Sequence, residues 1–150
     1  MAERVQFELV TPERLLISEM VEMVVVPGTE GNFGVLPGHA PLISTIRPGI
    51  IEIYQGQTIT RRIFIVSGTA EVTPERCTVL ADEAMPPDEV DRGAIEAELQ
   101  TVQGNLPSLR ERVARAGGSE RDTLTVELHR LERQESVLQA ELRALDEIAR

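Results

Sequence analysis

The chain has no tryptophan, no lysine, one cysteine and only four aromatic residues in 150. Each shortage excludes something. So few rings leave little on which nucleic-acid bases could stack. A net charge of -10 repels a phosphate backbone or an anionic bilayer unless the basic residues cluster. They do not: residues 1–86 carry 11 acids and 6 arginines, and residues 87–150 carry 14 acids and 9 arginines. The composition therefore argues against a nucleic-acid partner. The single cysteine, Cys77, cannot form an internal disulfide, which fits a reducing compartment. It lies in Cys77-Thr78-Val79-Leu80-Ala81 and is expected as a small core residue. No run approaches 18 apolar residues, so no membrane-spanning helix is predicted. The start, Met1-Ala2-Glu3-Arg4, leads straight into alternation and predicts no secretory signal. The only histidines, His39 and His129, form no His-x-x-x-His or Cys-His spacing for zinc, and no Gly-x-Ser-x-Gly elbow is present. These residues predict no catalytic site, no metal and no cofactor.

What is there falls into two halves with different periods. Val5, Phe7 and Leu9 alternate with Gln6, Glu8 and Val10; Leu15 and Ile17 continue the beat, then Val21, Met23 and Val25. Period two marks half-buried strands. Further runs are Leu42–Ile46, Ile50–Tyr54, Thr58–Val66, Thr69–Val72 and Arg76–Ala81. Turn residues separate them: Arg47-Pro48-Gly49, Gln55-Gly56-Gln57, Ser67-Gly68 and Thr73-Pro74-Glu75. About eight to ten short strands with close turns predict an antiparallel β-sandwich over residues 1–86.

At Met85-Pro86-Pro87 the period changes. Two prolines cannot continue a ladder, and Asp88 is the expected helix N-cap. Ile95, Leu99, Val102, Leu106, Leu109 and Val113 then recur at helical spacing. Gly104 and Pro107 predict a break near Gly104-Asn105. Gly117-Gly118 ends the piece, and Ser119 is the expected cap of a second helix with Leu124, Leu128, Leu131, Leu138, Leu142 and Leu145 on one face. Residues 87–150 are thus predicted as an antiparallel hairpin of two short amphipathic helices.

The segment Pro27-Gly28-Thr29-Glu30-Gly31-Asn32-Phe33-Gly34-Val35-Leu36-Pro37-Gly38-His39-Ala40-Pro41-Leu42 holds four glycines and three prolines. It reads as a loop shaped by its backbone. A phosphate cradle is disfavoured: the G-x-x-G-x-x-G spacing lacks the Lys-Ser/Thr ending of a P-loop. Gly28 to Leu42, and above all Gly-His-Ala-Pro-Leu, resembles the signature of the epsilon subunits of bacterial F-type ATP synthases. Arg47-Pro48-Gly49, Ser67-Gly68 with Glu71-Val72, and Thr78-Val79-Leu80-Ala81-Asp82 follow in that family's order. The resemblance implies a non-catalytic rotor subunit of the central stalk. Such a subunit couples proton translocation through the c-ring to ATP synthesis or hydrolysis in the alpha–beta head. It also implies a location on the cytoplasmic face of the bacterial membrane, touching it only through the c-ring. Glu30, Gly31, Asn32 and Phe33 would face the c-ring, and His39, Pro41 and Leu42 would lie near gamma. Asn32 stands where many family members carry an acid.

Some family members bind ATP through Ile/Leu-Asp-x-x-Arg-Ala at the start of the first helix. The corresponding stretch here is Val90-Asp91-Arg92-Gly93-Ala94-Ile95, with Asp91 kept, Ala94 in place of the arginine and Arg92 two residues early. The motif is degenerate, and no ATP binding is expected from it. In related subunits the hairpin can also halt hydrolysis through a basic face. Residues 119–150 carry 8 acids and 5 arginines, and Glu132 shares the sector of Arg121, Arg143 and Arg150, so a poor brake is expected. The alternatives are an ATP-responsive sensor and inhibitor of hydrolysis, or a free-standing sandwich adaptor with a coiled-coil tail.

Overall fold

The alternation of the first half becomes ten strands in the computed structural model, which describes residues 3–148. They are β1 (Val5–Val10), β2 (Leu15–Val21), β3 (Met23–Gly28), β4 (Gly31–Val35), β5 (Leu42–Ile46), β6 (Gly49–Gln55), β7 (Thr58–Ile65), β8 (Gly68–Val72), β9 (Arg76–Ala81) and β10 (Ala84–Met85). Their order is β10-β7-β6-β3-β5-β8-β9-β1-β2, with β4 also paired to β3. The sheet turns at β3–β5, which share only the Gly28–Ile46 pair, and its two halves face one core.

Burial follows the pleat. Val5, Phe7 and Leu9 of β1, Ile51 and Ile53 of β6 and Val79 of β9 are all inaccessible to solvent. Fully burying such a side chain is worth about 1.5–3 kcal/mol, so this shared interior is the main source of the sandwich's stability. Cys77 lies in it as expected, and desolvation pushes its thiol up to about 12, which leaves it unreactive.

Three strand readings need correction. Leu15 is 53% exposed, because the β1–β2 register shifts at Leu9/Val10 and turns it to the outer face. A bend at Glu22 resets the phase, so β3 buries Val24 and Val26 rather than Met23 and Val25. The β1–β9 pair is parallel, not antiparallel. Some 65 residues of chain separate the two strands, so no short hairpin dictates their direction.

After a 3₁₀ turn at Pro87–Glu89 come α1 (Arg92–Arg115) and α2 (Gly118–Ile148). Asp91, not Asp88, caps α1: its Oδ1 accepts the Ala94 amide at 3.0 Å. The expected break is absent, and α1 runs through Gly104 and Pro107 for 24 residues. Pro107 deprives the Gln103 carbonyl of its helical donor. Burial of Val102, Leu106 and Leu109 on either side offsets that loss, since truncating such residues costs about 2–5 kcal/mol each. Ser119 is not a cap either, as α2 already includes Gly118 and the Arg121 amide reaches the Gly117 carbonyl. With 24 and 31 residues, neither helix is short. Their seam joins Val102, Leu106 and Leu138 to Ile95, Leu99, Leu128 and Leu131. The far end of α2 returns to β6, where Ala144 is buried. No helix among the described residues is long and apolar enough to cross a membrane.

Candidate functional site: a clamped hairpin and an apolar outer face

Half of the glycine-rich segment is ladder rather than loop. Gly28 pairs with Gly31, Pro27 with Asn32 and Val26 with Phe33, leaving Thr29-Glu30 as a two-residue turn of a β3–β4 hairpin. Gly28 is required by contact: a Cβ there would lie 2.9 Å from the Gly31 carbonyl oxygen and from the Phe33 ring.

Arg47, just beyond β5, straps this hairpin down. Its Nη1 donates to the Gly28 carbonyl (2.8 Å) and its Nη2 to Asn32 Oδ1 (2.7 Å). Its amide donates to the Pro27 carbonyl (3.0 Å), and the Thr29 amide donates to that of Thr45 (3.0 Å). Two residues on, a Cβ at Gly49 would sit 2.7 Å from Pro27 Cβ. The Arg-Pro-Gly word therefore serves the hairpin as well as a turn. Sequence reasoning missed this role for Arg47; the signal was an isolated arginine, with no other arginine or lysine between Arg14 and Arg61.

The expected contact residues are not equivalent. Glu30, Gly31 and Asn32 are exposed at the tip, whereas Phe33 is half-buried and packs against the core. His39 is half-buried, with Nδ1 2.6 Å from the Ala40 carbonyl. Pro41 and Leu42 are exposed. The Gly38 amide donates to the Pro74 carbonyl (2.8 Å), which fixes the connection before them.

Next to Leu42 lies a surface the sequence reading did not single out. Ile43 is 73% exposed and Leu80 54%. The registers align Thr69, Leu80, Val10 and Leu15 across β8, β9, β1 and β2, giving an apolar row on the outer face. Its neighbouring row is polar, with Glu71, Thr78, Glu8 and Ser18 in line and Arg76 paired to Glu8 at 2.8 Å. Apolar residues at solvent-phase positions were the available signal.

The degenerate nucleotide motif is occupied by the chain itself. Asp91 is engaged as the α1 cap. Arg92 binds Glu96 at 3.0 Å and Asp146 at 2.5 Å, and these hydrogen bonds, Asp146 first, raise its already high pKa. Asp146 thus reaches across to α1. Arg150 lies outside the described residues. No group of three His, Cys, Asp or Glu among the described residues could hold a metal.

A family model described as the ATP synthase delta/epsilon chain β-sandwich domain matches residues 4–87. The chain is 58% identical over 106 residues to the ATP synthase epsilon chain of Rhodospirillum rubrum, covering 71% of this chain and 79% of that one. It is 52% identical over 111 residues to that of Rhodospirillum centenum, covering 71% and 76%. A chain in the Euglena gracilis mitochondrial ATP synthase OSCP/F1/c-ring structure superposes with a TM-score of 0.68. That match covers 98% of this chain and 82% of that one at 19% identity, a likeness of fold. The chain belongs to the ATP synthase delta/epsilon chain family. Its bacterial relatives here are epsilon chains, the non-catalytic subunit type that the glycine-rich segment resembles.

Proposed function

We propose that the chain is a non-catalytic central-stalk subunit of ATP synthase whose sandwich seats it between the c-ring and gamma. It turns with them and helps couple ion flow to synthesis in the catalytic head. The observation that carries this reading is the Arg47-strapped β3–β4 hairpin. It presents Glu30, Gly31 and Asn32 from a fixed frame, and Phe33 shapes that frame from below. A contact loop held by its own scaffold loses little freedom on docking. His39, Pro41 and Leu42 lead from it to the outer face, where Ile43 ends the polar row beside Glu71 and Leu80, Val10 and Leu15 form an apolar row of the kind that a neighbouring subunit covers; gamma is the proposed occupant. The chain divides at residues 86/87 into the sandwich and the hairpin, and works on the cytoplasmic face of the membrane.

Asn32 keeps the hairpin's geometry without a charge. In relatives with an acid there, the carboxylate would meet Arg47, so the acid would serve the subunit's own shape before any partner. Arg92, tied to Asp146 and Glu96, holds the hairpin base closed without nucleotide, and the acidity of α2 favours a bracing role over that of a brake.

The test replaces the exposed Glu30-Gly31-Asn32 with Ser-Gly-Ser and leaves Phe33 and its core contact in place. The variant is expected to keep a cooperative β-rich melt while its co-purification with the c-ring falls at least about tenfold, the equivalent of about 1.4 kcal/mol. Unchanged assembly and unchanged ion-driven synthesis would refute the docking role.

A further inference from the structure

The face of α2 that lies on the sandwich is mainly apolar but carries a carboxylate at its centre, with Arg133 earlier on the same face and Arg143 and Glu147 lining the far groove. Val137, Ala140, Ala144 and Ile148 line the grooves between α2 and the sandwich, and Glu141 stands among them. At about 100° per residue these five positions fall within a stripe of about 100°. The alanines allow close approach, and Ala144 is buried. A carboxylate on such a face normally finds a cation. Among the described residues, Glu141 has no ion pair.

Its charged surroundings come from three elements. Glu83 projects from the connection between β9 and β10, Glu98 from α1, Asp91 from the cap before α1, and Arg133 from two turns earlier on α2. Gln134 donates to Glu98 Oε1 at 2.7 Å, which holds that carboxylate at the groove. Phe64, Val66 and Met85 of the sandwich side and Ile95 of α1 complete the wall. Burial, then the charges of Glu83 and Glu98, raise the Glu141 pKa. Arg133 does not reverse that direction.

We propose that docking of the helical hairpin on the sandwich is proton-linked through Glu141, so that acid holds the hairpin down and alkali loosens it. The sign follows from the geometry. When α2 is docked, ionised Glu141 is partly desolvated and faces two like charges fixed on other elements. When α2 lifts away, Glu141 regains water and leaves Glu83 behind, because Glu83 stays with the sandwich. The docked state therefore binds the proton more tightly than the undocked one. Docking is strongest below the ordinary carboxylate value and weakens as pH rises through the raised value of the docked state. With one proton involved, the docking constant falls by at most about tenfold per pH unit inside that window. The device needs no nucleotide.

The test uses the full chain and amide hydrogen exchange of Ala140–Ala144, with measured rates divided by the intrinsic rate at each pH. Between about pH 4 and about pH 8, protection of these amides is expected to fall by up to about tenfold per pH unit within the window. Amides of Leu124–Leu131, which lie in the helix–helix seam, should keep theirs. Glu141→Gln, an isostere that cannot ionise, should stay protected throughout. Glu83→Gln, at an exposed position outside the helices, should keep the fall but move it to lower pH. Wild-type protection that is flat with pH, an unchanged fall in Glu141→Gln, or an unmoved midpoint in Glu83→Gln would each overturn the proposal. Should Glu141→Gln fail to fold, the Glu83→Gln midpoint decides alone.

Discussion

Replacing Arg47 by alanine tests whether the β3–β4 hairpin is a prepared surface or an ordinary turn. The guanidinium makes two hydrogen bonds, to the Gly28 carbonyl at 2.8 Å and to Asn32 Oδ1 at 2.7 Å. Bonds from a charged donor contribute about 1.5–3 kcal/mol each when protected from water. The Asn32 bond is exposed and the Gly28 bond only part-buried, so solvent screening brings each down to about 1 kcal/mol. Together they give about 2 kcal/mol of local stability. The backbone contacts at Pro27 and Thr29 remain, so the fold survives and the loss appears as hairpin opening, about thirtyfold more frequent at about 1.4 kcal/mol per decade. Hydrogen exchange of the Gly28–Gly34 amides reads this directly. Co-purification with the c-ring should weaken in parallel, because a loop that must be ordered on docking binds less tightly. Arg47→Lys should recover only part of the effect, as an ammonium lacks the planar two-pronged geometry. Hairpin exchange in Arg47→Ala within about twofold of wild type would refute the strap, since the calculation requires a change about ten times larger.

Gly68→Ala should be among the most damaging single changes in the sandwich. Gly68 has a φ of +156°, and a Cβ there would lie 2.0 Å from the Leu80 carbonyl oxygen; a loss of about 3 kcal/mol or more in chemical denaturation is expected, and a loss below about 1 kcal/mol would refute that reasoning. A chain ending at Met85 should retain a cooperative, β-rich melt by circular dichroism, because the core cluster contains no residue beyond the strands; a disordered fragment would show that the hairpin belongs to the folding unit. Isothermal titration with ATP should show no binding tighter than about millimolar, because Ala94 supplies no cation and Asp91 and Arg92 are engaged; a micromolar constant would overturn this.

Several things were legible from the sequence because they depend on neighbours along the chain. Period-two alternation marks a strand wherever it lies, and β5 (Leu42–Ile46) and β9 (Arg76–Ala81) have the expected bounds. The change of period after Met85, the seam from Ile95 to Leu109, the buried Cys77 and the resemblance to the epsilon subunits were all readable in the same way. Other features were settled only where distant segments meet. The α1 helix continues through Pro107 because α2 buries the residues beside it, which local propensity cannot anticipate. The bend at Glu22 and the bulge at Val10 shift strand phase by one residue, and a one-residue slip exchanges the two faces; composition does not register either. Arg47 reads as a turn residue until β3 comes within reach of its guanidinium, and Glu141 reads as a solvated acid until the groove half-buries it beside Glu83 and Glu98. Alternation and turns determined which residues pair with water and which do not; the approach of segments far apart in the chain decided which polar groups hold the contact hairpin in place and which stand in opposition beneath α2.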